Sequence, residues 1–125
     1  MPTIVMDLDG TLTIDDASLP YPDRLPNAAV VAKLREYKAA GFDVAIYTAR
    51  NMRTFEKSLG KITAETLPIV IDWLKKHDVP YDEIYIGKPW ASGAGFYVDD
   101  RAIRPDEFVN LTHEEIVKLT GPASP

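Results

Sequence analysis

The sequence predicts an α/β protein, a mostly parallel sheet with helices on both faces, folded as one domain over residues 1–121 with a flexible tail at 122–125. Three observations lead there. Apolar runs with few polar breaks alternate with segments of helical periodicity, which is the pattern of strands buried on both faces and joined by crossover helices. The length of 125 residues suits one domain with a core of its own. Several of the apolar runs also end abruptly in charged or hydroxylated residues, as strands do where a parallel sheet opens toward a ligand.

The elements follow in order. Strands are expected at Thr3 to Asp7, Asp43 to Thr48, Glu83 to Gly87 and Phe96 to Asp100. Between the first two, Val30, Val31, Leu34 and Tyr37 recur at helical spacing, and Gly41 stands where a left-handed helix stop belongs. A second helix is expected from about Thr66 to His77, with Ile69, Val70, Trp73 and Leu74 on its apolar stripe and Pro68 in its first turn. Thr112-His113-Glu114-Glu115 fits a capping box, Ile116 and Leu119 give the helix after it an apolar side, and Gly121-Pro122 stops it. Leu19 to Pro26 carries three prolines and reads as an irregular loop.

Composition narrows the function. A hydrophobic fraction of 46% and a charged fraction of 26% are those of a water-soluble globular chain. No run reaches the roughly 18 apolar residues of a membrane span, and MPTIVMDLDG does not fit a secretory signal. A cytoplasmic protein without a membrane partner is therefore expected. With no cysteine, disulfides, thiolate metal sites and cysteine nucleophiles are excluded. The net charge of −5 disfavours nucleic acid as a partner, so an anionic ligand has to be met by local cations or a metal.

The expected strand ends carry the chemistry: Asp7-Leu8-Asp9-Gly10-Thr11, Thr48-Ala49-Arg50, Gly87-Lys88-Pro89 and Asp99-Asp100. Carboxylates gathered at one rim repel unless a hard cation neutralises them, and Mg²⁺ suits a sparse oxygen site that also binds phosphate. Lys88, Thr48 and backbone amides then point to a phosphoryl ligand, with one acid of the first pair attacking phosphorus and the other moving a proton.

Blander readings stand beside this one. Asp7 and Asp9 also suit a polar turn built on Gly10, Lys88 an ordinary surface lysine, and Thr48 a cap for the next segment. An EF-hand loop is excluded because its glycine would fall at Leu12, and a P-loop because Gly60-Lys61 is followed by Ile62 and lacks a glycine at position 55. If the stretch after Thr48 is helical, Arg50, Arg53, Lys57 and Lys61 form one cationic ridge, either a solvated face or a second anion site. Trp90 suits stacking on a sugar or base as well as a core or interface role. His77 and His113 lie at polar helix ends and suggest no catalysis.

DLDGT, Thr48, Lys88 and the Asp99-Asp100 pair resemble the four motifs of the haloacid dehalogenase (HAD) superfamily, mostly Mg²⁺-dependent phosphatases. The resemblance spans residues 3 to about 104 and implies a single Rossmann-like domain without a separate cap. It implies Asp7 as nucleophile and metal ligand, and Asp9 as acid/base whose carbonyl also meets the metal. Asp99 would be a further ligand, assisted by Asp100, although the adjacent pair departs from the GDxxxD spacing of many members. Gly10, Thr11, Thr48, Ala49, Arg50 and Lys88 would surround the phosphate, Thr48 and Lys88 with catalytic roles. More narrowly, YTAR, GKPW and FYVDDRAIRP resemble small HAD proteins described as capsular or surface-polysaccharide biosynthesis phosphatases, which implies a small sugar or polyol phosphate as substrate. Without a cap the site is open, which suits a large substrate or closure by a neighbouring subunit of a homo-oligomer. Residues Ile14 to Pro26 are the candidate flap, with Tyr21 and Arg24 able to reach substrate. The alternatives are a phosphatase of protein or nucleic acid and a non-catalytic phosphate-binding module.

Overall fold

The computed structural model describes residues 2–121, and the proposed tail at 122–125 lies outside them. The described residues fall into two compact units that divide between Trp90 and Ala91.

The first unit is built on three parallel strands, β1 (Thr3–Asp7), β2 (Asp43–Thr48) and β3 (Glu83–Ile86), in the order β1-β2-β3. The register pairs Asp7 with Tyr47 and Thr48 with Ile86, so the carboxyl ends of all three strands emerge at one rim. β2 is the central strand and the most enclosed, with Val44, Ala45 and Ile46 buried.

Helix α1 (Ala28–Ala39) begins at Asn27, whose side chain accepts from the Val30 amide. It buries Val30, Val31, Leu34 and Tyr37, the stripe that the periodicity predicts. Gly41, at φ 100°, turns the chain left-handed into β2. The short helix α2 (Leu59–Lys61) runs through a π-type turn (Ile62–Thr66) into α3 (Leu67–Lys76). Val70, Trp73 and Leu74 of α3 are buried as expected, but Ile69 is exposed. It stands one residue from Val70, and neighbours in sequence point about 100° apart around a helix. Arg35 ties the end of α3 to α1 by donating to the carbonyls of His77 and Asp78.

The stretch after Thr48 is not the expected helix. Residues 50–57 form a run of turns in which Asn51, Glu56 and Lys57 have φ of 64°, 50° and 65°. A right-handed helix cannot pass through such residues, so Arg50, Arg53, Lys57 and Lys61 do not form one helical ridge.

The second unit holds α4 (Pro105–Asn110) and α5 (His113–Thr120). Arg104 N donates to Glu107 Oε1 at 2.8 Å ahead of α4, and Phe108 is buried. The capping box of α5 is present: Thr112 Oγ1 accepts from Glu115 N at 3.2 Å and Glu115 Oε1 accepts from Thr112 N at 3.0 Å. The bonds that the Thr112 amide and then the Thr112 hydroxyl donate to Oε1 hold the Glu115 carboxyl below its ordinary pKa. Leu119, expected on the apolar side of α5, is exposed.

The expected fourth strand is the clearest departure. Phe96 to Asp100 forms no strand, and the sheet has three strands rather than four. A strand is defined by ladder hydrogen bonds to a neighbour, which its apolar pattern cannot supply alone. Phe96, Tyr97 and Val98 are exposed, 89% in the case of Val98.

Candidate functional site

The turn after β1 shapes the first part of the site. Asp9 (φ −75°, ψ 126°) and Gly10 (φ 80°, ψ 2°) take the two central positions of a type II turn, and the second of these requires positive φ. Gly10 is therefore there for its backbone freedom, and the turn presents Asp7 and Asp9 from the end of β1. Two bonds fix its shape: Thr13 N donates to Leu8 O at 3.0 Å, and Gly10 N to Thr13 Oγ1 at 3.2 Å.

Asp7 is partly exposed, with 36% of its side chain accessible, and sits between a hydroxyl and a cation. Thr11 Oγ1 donates to Asp7 Oδ2 at 2.9 Å, and Lys88 Nζ stands 3.6 Å from Asp7 Oδ1. Lys88 arrives there because Gly87, at φ 84°, turns the chain after β3, and the Lys88 amide then donates to the Thr48 carbonyl at 3.1 Å.

Asp9 is held differently. Arg50 grips it in a two-pronged ion pair, Nη2 to Oδ1 at 2.8 Å and Nε to Oδ2 at 3.0 Å. The Arg50 side chain is 1% exposed, and its remaining nitrogen, Nη1, is buried without a hydrogen-bond partner. A planar guanidinium fits this task where a lysine would make one contact. Thr48, also buried, orients the arginine: Thr48 Oγ1 accepts from the Arg50 amide at 3.0 Å. Asn51, the next residue, is steadied in its left-handed conformation by Thr66, whose Oγ1 donates to Asn51 Oδ1 at 2.7 Å.

Asp7, Asp9, Thr11, Thr48, Arg50 and Lys88 are thus placed together by hydrogen bonds and ion pairs at the strand ends, with Gly10 shaping the turn and Ala49 next to Thr48. Arg50 is turned inward onto Asp9 rather than outward. Asp99 and Asp100 belong to the second unit, where both are exposed and Asp99 Oδ1 accepts from the Arg101 amide at 2.7 Å. Among the described residues, no three of His, Cys, Asp and Glu cluster where they could hold a metal ion.

The oxygen donors present fit a hard divalent cation of the Mg²⁺ kind, which takes one or two carboxylates and fills its shell with water and phosphate. Asp7 offers an accessible carboxylate, whereas both Asp9 oxygens are engaged by Arg50, which leaves its backbone carbonyl as its donor. No helix among the described residues is long and apolar enough to cross a membrane.

The sequence places Tyr21 in a flap facing substrate but gives no sign of what it touches. From the turn Tyr21–Asp23 in the Ile14 to Pro26 loop, its ring lies against Arg50, whose Cζ is 4.0 Å from the ring centroid. A ring on a cation leaves no spacing signal. Arg53, likewise, stands over the Trp90 ring, 5.4 Å from its centroid.

A crystal structure of a target protein from Vibrio cholerae is 53% identical over 96% of this chain and 97% of that one, with a TM-score of 0.93. This chain belongs to the family of that protein. A second likeness is to part of the Pnkp1/Rnl/Hen1 complex, at 24% identity and a TM-score of 0.53, over 69% of this chain and 28% of that one. It shows a shared fold. No protein-family model and no curated protein matches the chain.

Proposed function

We propose that the protein is a HAD-type, Mg²⁺-dependent phosphohydrolase that cleaves a phosphomonoester, of a small sugar or polyol, through an aspartyl-phosphate at Asp7. The observation that carries this reading is the unequal treatment of two neighbouring acids: Asp7 is accessible beside Lys88, while Asp9 is clamped by Arg50. One accessible carboxylate and one oriented carboxylate are what a nucleophile and a proton carrier need.

In this reading a carboxylate oxygen of Asp7 attacks phosphorus. An acyl phosphate forms, the ester P–O bond breaks, and the leaving alkoxide oxygen takes a proton from Asp9, which must enter the cycle in its protonated form. Water then attacks the phosphoryl group and gives its proton to Asp9, which releases phosphate and restores both acids. Carrying the proton occupies one Asp9 oxygen, so one of the two Arg50 bonds loosens during each half of the cycle while the other keeps the group aimed. Lys88 places positive charge beside the attacking oxygen, where negative charge gathers on the phosphoryl group. Asp7 and the Asp9 carbonyl would hold the metal. The metal supplies charge neutralisation of the phosphoryl oxygens.

The test is hydrolysis of p-nitrophenyl phosphate with Mg²⁺. Asp7→Asn is expected to lower kcat by about a thousandfold or more, as loss of a nucleophile does, and EDTA to abolish wild-type turnover. Wild-type activity in Asp7→Asn would remove the covalent route.

A further inference from the structure

The Ile14 to Pro26 loop has a role that its proline-rich sequence does not announce. Its neck is closed by a bridge between Thr13 and Pro26, by Ile14 N donating to Leu25 O at 2.8 Å, and by Asn27 N donating to Leu12 O at 2.7 Å. The buried Trp73 of α3 pins its returning limb beside that neck, Nε1 donating to Arg24 O at 2.7 Å. Within it, Arg24 donates from Nε to Leu19 O at 3.2 Å and pairs with Asp15 at 3.4 Å. The loop is therefore a tied structure, and it holds the Tyr21 ring between two guanidinium groups, Arg24 Cζ at 4.3 Å and Arg50 Cζ at 4.0 Å from the centroid.

We propose that Tyr21 is a positioning residue: its ring holds the Arg50 guanidinium, and through Arg50 it fixes the Asp9 carboxylate for proton transfer. The physical need is visible in Arg50 itself. A cation buried with one nitrogen lacking a hydrogen-bond partner is costly unless something else satisfies it. An aromatic face does so through its quadrupole, most strongly where water is excluded. Asp9 neutralises the charge from one side and Tyr21 supports it from another. Without the ring, water reaches the guanidinium, and the orientation of Asp9 relaxes with it.

This inference rests on the phosphohydrolase reading for its catalytic consequence but not for its structural one, so two measurements separate them. The first follows hydrogen exchange of the Arg50 Nε–H by ¹⁵N NMR in wild type, Tyr21→Phe, Tyr21→Leu and Tyr21→Ala. Slow exchange is expected in wild type and Tyr21→Phe, and exchange at least about tenfold faster in Tyr21→Leu and Tyr21→Ala, since the latter two lack a π face. The second is turnover of p-nitrophenyl phosphate. Tyr21→Ala and Tyr21→Leu are expected to lose about tenfold or more in kcat with KM little changed, a part of what a general acid contributes, and Tyr21→Phe to keep wild-type kcat.

Equal exchange in all four proteins would overturn the proposal, as would rescue by leucine, which would reduce the ring to bulk. An inactive wild type would count against the phosphohydrolase alone, and the exchange rates would then decide on Tyr21.

Discussion

Arg50 and Asp9 are 41 residues apart in sequence and share two hydrogen bonds, and their energetics differ from those of Asp7 and Lys88. Removing one partner of a buried ion pair strands the other, which typically costs about 3–5 kcal/mol, whereas an exposed pair contributes about 0–1 kcal/mol. Asp9 keeps some access to water, so the lower end of the first range applies. Asp9→Ala is therefore expected to destabilise the protein by about 3 kcal/mol in urea unfolding, and Asp7→Ala by less than about 1 kcal/mol. Equal losses would mean that Arg50 is not stranded. The charges of both residues, and their places at strand ends, are readable in the sequence. Their pairing is not, because a lone arginine after a strand serves equally to meet a substrate anion. What decides is the burial of Arg50, which also meets the Tyr21 ring of a loop whose packing no periodicity encodes.

Among the elements, α1 and β2 are legible because each carries its own signal, an apolar stripe with a glycine stop and an unbroken apolar run. The segment 96–100 has the composition of a strand but forms none, since pairing is a property of two segments and only one is on view. The 50–57 segment departs for a local reason: the spacing of its cations suggests a helix, while its left-handed residues make turns. Gly87 shows how strictly a connection can be set. At φ 84°, and with Leu59 Cδ2 only 2.6 Å from where a Cβ would stand, it admits no side chain without a shift. Gly87→Ala is expected to cost about 1–2 kcal/mol and, because Lys88 follows directly, to lower turnover too.

Asp82 ties α1 to the sheet, accepting from Lys38 Nζ at 2.7 Å and from the Val44 amide at 2.8 Å. The Lys38 hydrogen bond, then the Val44 amide, hold its pKa below the ordinary 3.8. A carboxyl depressed in the folded state stabilises the fold above its unfolded value and loses that contribution as pH falls through the folded one. The melting-temperature gap between wild type and Asp82→Asn should therefore be full near pH 6 and close below 3.8; a gap that persisted in acid would rule out this origin. His77 has the opposite character, its pKa lowered by burial and then by Lys76. Its neutral form suits the fold, so its contribution erodes as pH falls through 6.5, where the unfolded chain gains the proton first.

At the scale of the whole molecule, a net charge of −5 surrounds a rim where Lys88 and Arg50 are set against Asp7 and Asp9. Such a surface holds a phosphate only where local cations and a metal overcome the general repulsion. A three-stranded parallel sheet brings six of the predicted residues into one bonded network, and the Vibrio cholerae protein is similar in fold over nearly the full chain. The central claim is that Asp7 becomes phosphorylated. The most direct measurement is mass spectrometry of the acid-quenched protein during turnover of p-nitrophenyl phosphate with Mg²⁺. The account predicts one phosphoryl group on the peptide that carries Asp7, absent in Asp7→Asn. Steady release of phosphate with no phosphoryl group on that peptide at any time, or with one on a different residue, would contradict it.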